Sequence, residues 1–321
     1  MKSVQVIRTH LSPYQSETFV ISEKMAVESI PGVSYGNPGQ MRDTDVILVT
    51  NTHTVLSELP NELLKKTKLI IHPNSGYDHF EKDQKIWNDI PVVIGHAIRA
   101  GGVAEYTLGC LFKSVLSLPQ HLAWDKKRLW PRKLITGMNI WVHGYGHIGS
   151  TVAQTLKTIG ANVTVIDPYK RSSGLPHLSH WKDGSRKEAQ AHLICMSLNK
   201  TSKHMFDENF FSDLHPSAIV INGARGKLID EKFLREFLLC HPESQAFLDV
   251  FENEPFGTEW HHFPQVWKTS HIAGVTTDLD QRILDFEVDV LKNYMSMSDE
   301  KFSEHYRYEL LQNKIINGVL I

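Results

Sequence analysis

Cysteine is scarce in this chain of 321 residues: only Cys110, Cys195 and Cys240 occur, far apart. Three thiols so spaced make neither a disulfide framework nor a zinc spacing, which points to a reducing cytoplasm. An excess of one charge is also missing. The 34 Lys and Arg against 36 Asp and Glu leave a formal net charge of −2, so nothing in the charge suggests nucleic acid as a partner. No run of about 18 apolar residues exists, and no membrane span is expected. The opening MKSVQVIRTH is too short and polar for a secretory signal. Internal repeats and low-complexity tracts are absent as well. Histidine, by contrast, is plentiful at 18. His177 with His180, and His261 with His262, invite a metal. Neither pair has a third ligand or an HExxH helix, so no metal is expected and solvated surface histidines are the plainer reading.

The length favours two domains, and a hydrophobic content of 41% with 22% charged residues is ordinary for a globular enzyme. One stretch is more informative than the rest. Ile140-Trp-Val142 is a short strand-like run leading into Gly144-Tyr145-Gly146-His147-Ile148-Gly149. Ile148, Val152, Leu156 and Ile159 then recur at helical spacing, and Val163–Ile166 forms a second apolar run ending at Asp167. Strand, glycine turn, helix, strand and acid come in the order of a dinucleotide-binding unit. Gly144 permits the tight turn, Gly146 lets the backbone approach a pyrophosphate, and Gly149 lets helix and strand pack closely. The helix start offers free N–H groups to the phosphates. Asp167 stands where a carboxylate accepts ribose hydroxyls, which favours NAD(H) over NADP(H), although Lys170 and Arg171 nearby soften that preference.

Short apolar runs at Val4–Ile7, Val46–Val49, Leu69–Ile71 and Val92–Ile94 precede the glycine turn. Others follow it at Leu193–Met196, Ala218–Ile221, Ala246–Leu248 and Val266–Thr269. Helical patterns intervene at 101–122, 207–213 and 230–239. The first is preceded by Gly101-Gly102 and has Pro119 near its end. A last helix over 278–297 opens with a capping-box pattern, Thr277 with Asp280. The fold expected is α/β, with two Rossmann-like doubly wound parallel-sheet domains and a cleft between them. Residues 100–280 would form the dinucleotide domain. Residues 1–99 with about 281–321 would form a discontinuous substrate domain.

Three segments place charge just after predicted strands: Asn222-Gly-Ala-Arg225-Gly, Asp249-Val-Phe-Glu-Asn-Glu254-Pro and Ser270-His271-Ile-Ala-Gly. In a parallel sheet their tips converge on one edge. Hydride transfer to a 2-oxo acid needs an arginine fork for the oxygens, a proton donor for the forming alkoxide, and a carboxylate to orient that donor. Arg225, His271 and Glu254 meet those needs in that order. Each taken alone has a bland reading as a turn arginine, a loop glutamate or a structural histidine. Their joint occurrence after a dinucleotide turn does not.

These pieces, with Asn74-Ser75-Gly76-Tyr-Asp78 and Gly102-Val-Ala-Glu105, resemble the D-2-hydroxyacid dehydrogenase family over most of the chain. The resemblance implies catalytic roles for Arg225, Glu254 and His271 and a nicotinamide-amide contact for Asp249. It also implies a grip on the substrate carboxylate by the backbone at Ser75 and Gly76 beside Asn74, with NAD(H) as cofactor and a cytoplasmic homodimer acting on a small 2-oxo or 2-hydroxy acid. Two departures stand out. Ser270 and Ser197 occupy positions where many members carry proline, whose ring fixes φ. Thr50 and Asn51 lie where the phosphoglycerate branch places an arginine, which disfavours a phosphorylated substrate. The family also includes corepressors that bind dinucleotide as a sensor with little catalysis, and this alternative stays open.

Overall fold

The computed structural model describes residues 2–37, 39–116, 118, 120–130, 132–171, 174–316 and 318–321; Pro119 lies outside them. The chain divides into two compact units, one of Met1–Arg99 with Val275–Ile321 and one of Ala100–Gly274.

The first unit is built on a five-stranded parallel sheet. Its strands are β1 (Val4–Arg8), β2 (Val33–Gly36), β3 (Asp45–Val49), β4 (Thr67–His72) and β5 (Val92–Ile94), in the order β2-β1-β3-β4-β5. The central strands are buried along nearly their whole length, which is why they read as unbroken apolar runs rather than alternating ones. β2 escaped the sequence reading because Val33-Ser-Tyr-Gly36 is an edge strand with a single buried apolar residue. The C-terminal segment completes this unit. Ile94 N–H donates to Glu309 O at 3.0 Å, and Gln312 Nε2 donates to the carbonyls of Trp87 and Ile90 at 3.0 and 2.6 Å.

The second unit carries a seven-stranded parallel sheet. Its strands are β6 (Asn139–His143), β7 (Asn162–Ile166), β8 (His177–Leu178), β9 (Ala191–Ile194), β10 (Ile219–Asn222), β11 (Gln245–Leu248) and β12 (Val266–Lys268). The order is β12-β11-β10-β9-β6-β7-β8. The strand order reverses between β6 and β9, the switch point at which doubly wound sheets bind ligands. The helix His147–Thr158 buries Val152, Ala153 and Leu156 against one face and stops at Gly160, whose φ of +89° suits a residue without a Cβ.

Three local expectations are corrected. The first long helix runs over His96–Leu116, so Gly101 and Gly102 lie inside it. Ile98 buries against Phe19, Leu279, Ile283 and Leu284, and that packing outweighs the ~1 kcal/mol cost of each helical glycine. The last long helix, Leu279–Ser296, has Asp278 at its N-cap and no side-chain cap. The Thr277–Asp280 box does not form, and Asp278 Oδ1 instead accepts the Thr276 hydroxyl at 2.6 Å. β9 ends at Ile194 rather than Met196, because Cys195 and Met196 bend past the Gly144 backbone.

One feature of the first unit had no signature in the sequence. Arg8, at the end of β1, is buried between two buried carboxylates. It donates to Glu23 at 2.8 and 2.9 Å and to Glu287 at 2.6 Å, while Tyr35 donates to Glu23 at 2.7 Å. One cation facing two buried acids leaves a surplus negative charge. Burial, with the Glu23 charge adding to it against the opposing pull of Arg8, pushes the Glu287 carboxyl up to about 8. A carboxyl with a raised folded-state pKa stabilises the fold fully below its ordinary value of 4.5 and loses that contribution as pH rises through about 8. Wild-type stability in urea should therefore fall between pH 5 and 8.5 by up to ~1.4 kcal/mol per pH unit. Glu287→Gln should flatten that slope; equal slopes in the two proteins would refute the assignment.

Candidate active site

At the end of β6 the chain turns on Gly144, whose φ is +94°. A methyl there would sit 2.8 Å from the Cys195 carbonyl oxygen, and one on Gly149 would collide with the Gly144 carbonyl oxygen. Both glycines are thus required by close backbone approach. Gly146 differs: a methyl there meets nothing within 4 Å. It is the N-cap of the helix His147–Thr158 and contributes no side-chain cap. It faces an open depression lined also by Tyr145, His147, Ser150, Lys170 and Arg171. A helix start without a side-chain cap, room at Gly146 and two cations fit the phosphates of a dinucleotide. Ile148 follows on the first helical turn. Asp167 lies at the end of β7, where its Oδ2 accepts Tyr145 N–H at 2.7 Å and its Oδ1 accepts the N–H groups of Tyr169 and Lys170 at 2.8 Å. The acid therefore ties the second strand end to the glycine turn and keeps one lone pair, on Oδ2, for a ligand.

The tips of β10, β11 and β12 supply the other charged groups. Asn222 closes the first turn: its Oδ1 accepts Ala224 N–H at 3.0 Å and its Nδ2 donates to Arg225 O at 2.9 Å. Gly226 lies so close to Phe251 that a methyl would overlap the Phe251 carbonyl. That approach brings the loop of Arg225 against the loop of Glu254. His271 Nδ1 meets Glu254 Oε2 at 2.9 Å, and Phe251 N–H donates to Glu254 Oε1 at 3.2 Å. Burial tends to raise the Glu254 pKa, but the His271 bond and charge, the Phe251 N–H and the Arg225 charge together hold it below the usual carboxylate value. Half of the His271 side chain is solvent-exposed (51%). An imidazole anchored through Nδ1 on an ionised carboxylate, with its other face open, can pass a proton to or from a bound molecule.

Asp249 is buried at the end of β11, where its carboxylate accepts from the Thr269 hydroxyl and from the N–H groups of Ile272 and Ala273. Thr269 and Tyr106, whose hydroxyls lie 2.8 Å apart, were not singled out from the sequence. The position of Thr269 two residues before His271 offered a signal; Tyr106 offered none. Ser197 and Ser270 leave φ unrestrained, and hydrogen bonds take up part of that task. Ser202 Oγ donates to Ser197 O at 2.8 Å, while Asn199 Oδ1 accepts from the backbone of Thr201 and Ser202.

Asn74, Ser75 and Gly76 belong to the other unit, in the turn after β4. There His72 Nε2 bonds Gly76 O at 2.9 Å, Ser75 Oγ donates to His96 O at 3.2 Å, and Arg99 donates to Pro73 O at 2.6 Å. Thr50 and Asn51 are buried, and the Thr50 hydroxyl bonds His72 Nδ1 at 2.9 Å. His177 bonds Asp167 O, whereas His261 and His262 are exposed. His143 and His192 form a buried pair, Nε2 to Nδ1 3.2 Å, in which burial drives both far below the usual imidazole range, His192 to about 3. Among the described residues no group of three or more His, Cys, Asp or Glu is placed to hold a metal, and no helix is long and apolar enough to cross a membrane.

A Rossmann sheet with a glycine turn at its switch point and an acid after the next strand defines a dinucleotide-binding protein. Residues 114–273 match the model of the NAD-binding domain of D-isomer specific 2-hydroxyacid dehydrogenases. D-3-phosphoglycerate dehydrogenase of Methanocaldococcus jannaschii is 30% identical over 226 residues, 67% of this chain and 43% of that protein. Hydroxypyruvate reductase of Thermotoga maritima is 27% identical over 255 residues, 75% and 81% of the two chains. The chain spans only about half of the length of such relatives, 43% of that phosphoglycerate dehydrogenase and 55% of erythronate-4-phosphate dehydrogenase of Saccharophagus degradans. D-lactate dehydrogenase from Aquifex aeolicus, solved with NAD and lactic acid, shares the fold with a TM-score of 0.73 at 23% identity, covering 96% of this chain and 99% of its own. An NADPH-dependent glyoxylate/hydroxypyruvate reductase from Sinorhizobium meliloti, solved with NADP and malonate, does so at 0.71 and 20%, covering 92% and 95%. This chain belongs to the D-isomer specific 2-hydroxyacid dehydrogenase family.

The glycine geometry separates two effects. Gly149→Ala should destabilise the protein by ~1–3 kcal/mol through overpacking. Gly146→Ala should cost about 1 kcal/mol or less yet weaken NADH binding, measured by fluorescence titration alongside urea unfolding. Equal stability losses in the two variants would refute this division.

Proposed function

We propose that the protein interconverts a 2-oxo acid and its D-2-hydroxy acid with NAD(H) as hydride carrier. The observation that carries this reading is the 2.9 Å pair between His271 Nδ1 and Glu254 Oε2 at the tips of parallel strands. In the reductive direction the 2-oxo acid, NADH and one proton give the 2-hydroxy acid and NAD+. The bound dinucleotide supplies the hydride. His271 gives the proton at its other ring nitrogen to the carbonyl oxygen, and takes it back in the oxidative direction. Glu254 orients the imidazole and favours its charged form in that step. Arg225 holds the carbonyl and carboxylate oxygens with its planar fork. The backbone of Ser75 and Gly76, beside Asn74, grips the carboxylate, and Asp249 faces the nicotinamide amide.

The turn Gly144-Tyr145-Gly146-His147-Ile148-Gly149 holds the pyrophosphate and Asp167 the ribose. A carboxylate at that position repels a 2′-phosphate, which supports NAD over NADP, against the pull of Lys170 and Arg171. The substrate carries no phosphate: Thr50 and Asn51 bring no cation, and the Thr50 hydroxyl is taken up by His72. A homodimer in the cytoplasm completes the reading.

NADH oxidation should be measured against glyoxylate, hydroxypyruvate, pyruvate, 2-oxoglutarate, branched and aromatic oxo acids, and phosphohydroxypyruvate. Turnover with an unphosphorylated acid is expected. NADH binding with no turnover on any acid would replace this reading with a dinucleotide sensor. His271→Gln should lower kcat by ~10²–10⁴-fold with folding intact, and Arg225→Ala should raise KM for the oxo acid and slow the reaction. Near-normal turnover of the His271 variant would overturn the mechanism.

A further inference from the structure

His271 sits in a backbone conformation that a side-chain-bearing residue seldom adopts, with φ at +55°. Left-handed geometry costs roughly 1 kcal/mol or more for a residue with a Cβ, and Ser270 before it has no ring to restrict the chain. Something must hold the segment 269–273 in place. The bonds that do so converge on Asp249. His271 N–H donates to Asp249 O at 2.8 Å. Asp249 Oδ1 accepts Ile272 N–H at 2.8 Å and the Thr269 hydroxyl at 2.6 Å, and Oδ2 accepts Ala273 N–H at 2.8 Å. A carboxylate oxygen only accepts, so the single Thr269 hydroxyl proton points at Asp249. The Thr269 oxygen must then accept from Tyr106, whose hydroxyl lies 2.8 Å away. The Tyr106 phenol keeps its proton, because burial raises its pKa. The result is a directed chain from Tyr106 through Thr269 to Asp249, ending on the N–H groups of the two residues that follow His271.

We propose that Tyr106 and Thr269 are positioning residues for the proton-transfer step: through Asp249 their hydroxyls hold the 269–273 segment so that His271 meets Glu254. The proposal rests on the assignment of His271 as acid/base. Thr269 donates to a carboxylate that is 1% exposed, and Tyr106 is hydrogen-bonded to Thr269 behind it. Asp249 retains a lone pair on Oδ2, so this role is compatible with a contact to the nicotinamide amide.

The test is a double-mutant cycle on the full-length protein, using the best oxo acid of the panel above. Thr269→Val removes the bridging hydroxyl at nearly constant volume, Thr269→Ser keeps it, and Tyr106→Phe removes only the terminal donor. Thr269→Val should lower kcat by ~10–100-fold, with KM for NADH within about twofold of wild type, and Thr269→Ser should restore most of the rate. Tyr106→Phe should give a smaller fall in kcat and none when added to Thr269→Val. In a His271→Gln background, Thr269→Val should have no further effect on residual turnover, because the group it positions is gone. Multiplying effects of the two substitutions, or a fall in rate that Thr269→Ser does not rescue, would overturn the proposal. So would wild-type kcat in Thr269→Val. A His271→Gln variant that turns over normally would instead sink the acid/base assignment, so the two failures are distinguishable. If Thr269→Val does not fold, Tyr106→Phe carries the same cycle, since it leaves the phenyl packing in place.

Discussion

Every strand of the seven-stranded sheet runs in the same direction. The right-handed crossovers that join parallel strands return the chain to the same starting edge each time, so all carboxyl ends lie along the opposite edge. That constraint puts the glycine turn after β6, Asp167 after β7, Arg225 after β10, Glu254 after β11 and His271 after β12 on one side of one layer. A single antiparallel strand would have sent one of these groups to the far edge. The chemistry of the site is thus first a consequence of chain direction, and only then of side-chain choice.

Within that edge, three close backbone approaches set the geometry. Gly144 lets the first turn pass against Cys195 and Met196, Gly149 lets the helix start press on Gly144, and Gly226 lets the Arg225 loop press on Phe251. The third is what places the Arg225 charge near enough to Glu254 to help keep it ionised. Asp249 then fastens the segment that carries His271. The imidazole–carboxylate pair is half exposed, yet the segment beside it is bonded to the buried Asp249. Such an arrangement keeps the imidazole accessible without leaving it free to wander.

The first unit solves a different problem. Its sheet alone leaves the outer edge of β5 open, and the returning segment Val275–Ile321 bonds to that edge through Glu309 and Gln312. Arg8, Glu23 and Glu287 join β1 to one early and one late helix through a buried, charge-unbalanced cluster. Such clusters are weak evidence of stability, but breaking one is costly. Here the imbalance makes the joint sensitive to pH, because one of the two acids is favoured in its protonated form.

Much of this was legible in the residues, because the signals were local. Apolar runs bounded by turns marked most strands, and the Gly144–Gly149 motif with Asp167 marked the tight turn at the sheet's switch point. The order of Arg225, Glu254 and His271 after successive strands marked their shared edge. Positions whose meaning lies in a distant partner were not legible. Tyr106 in a helix and Thr269 at a strand end became one hydrogen-bonded chain only through the fold, and Arg8 acquired a carboxylate from 279 residues away. Gly101 and Gly102 read as a helix start and proved interior, because burial of Ile98 outweighed local propensity. Sequence by itself determined which chemical groups this protein has and at which strand ends they stand, since periodicity and turn chemistry act over a few residues. Tertiary structure alone decided which groups touch, how the His271 backbone is held, and which carboxyl is favoured to keep its proton. Those properties depend on distances and dielectric surroundings that no stretch of residues carries.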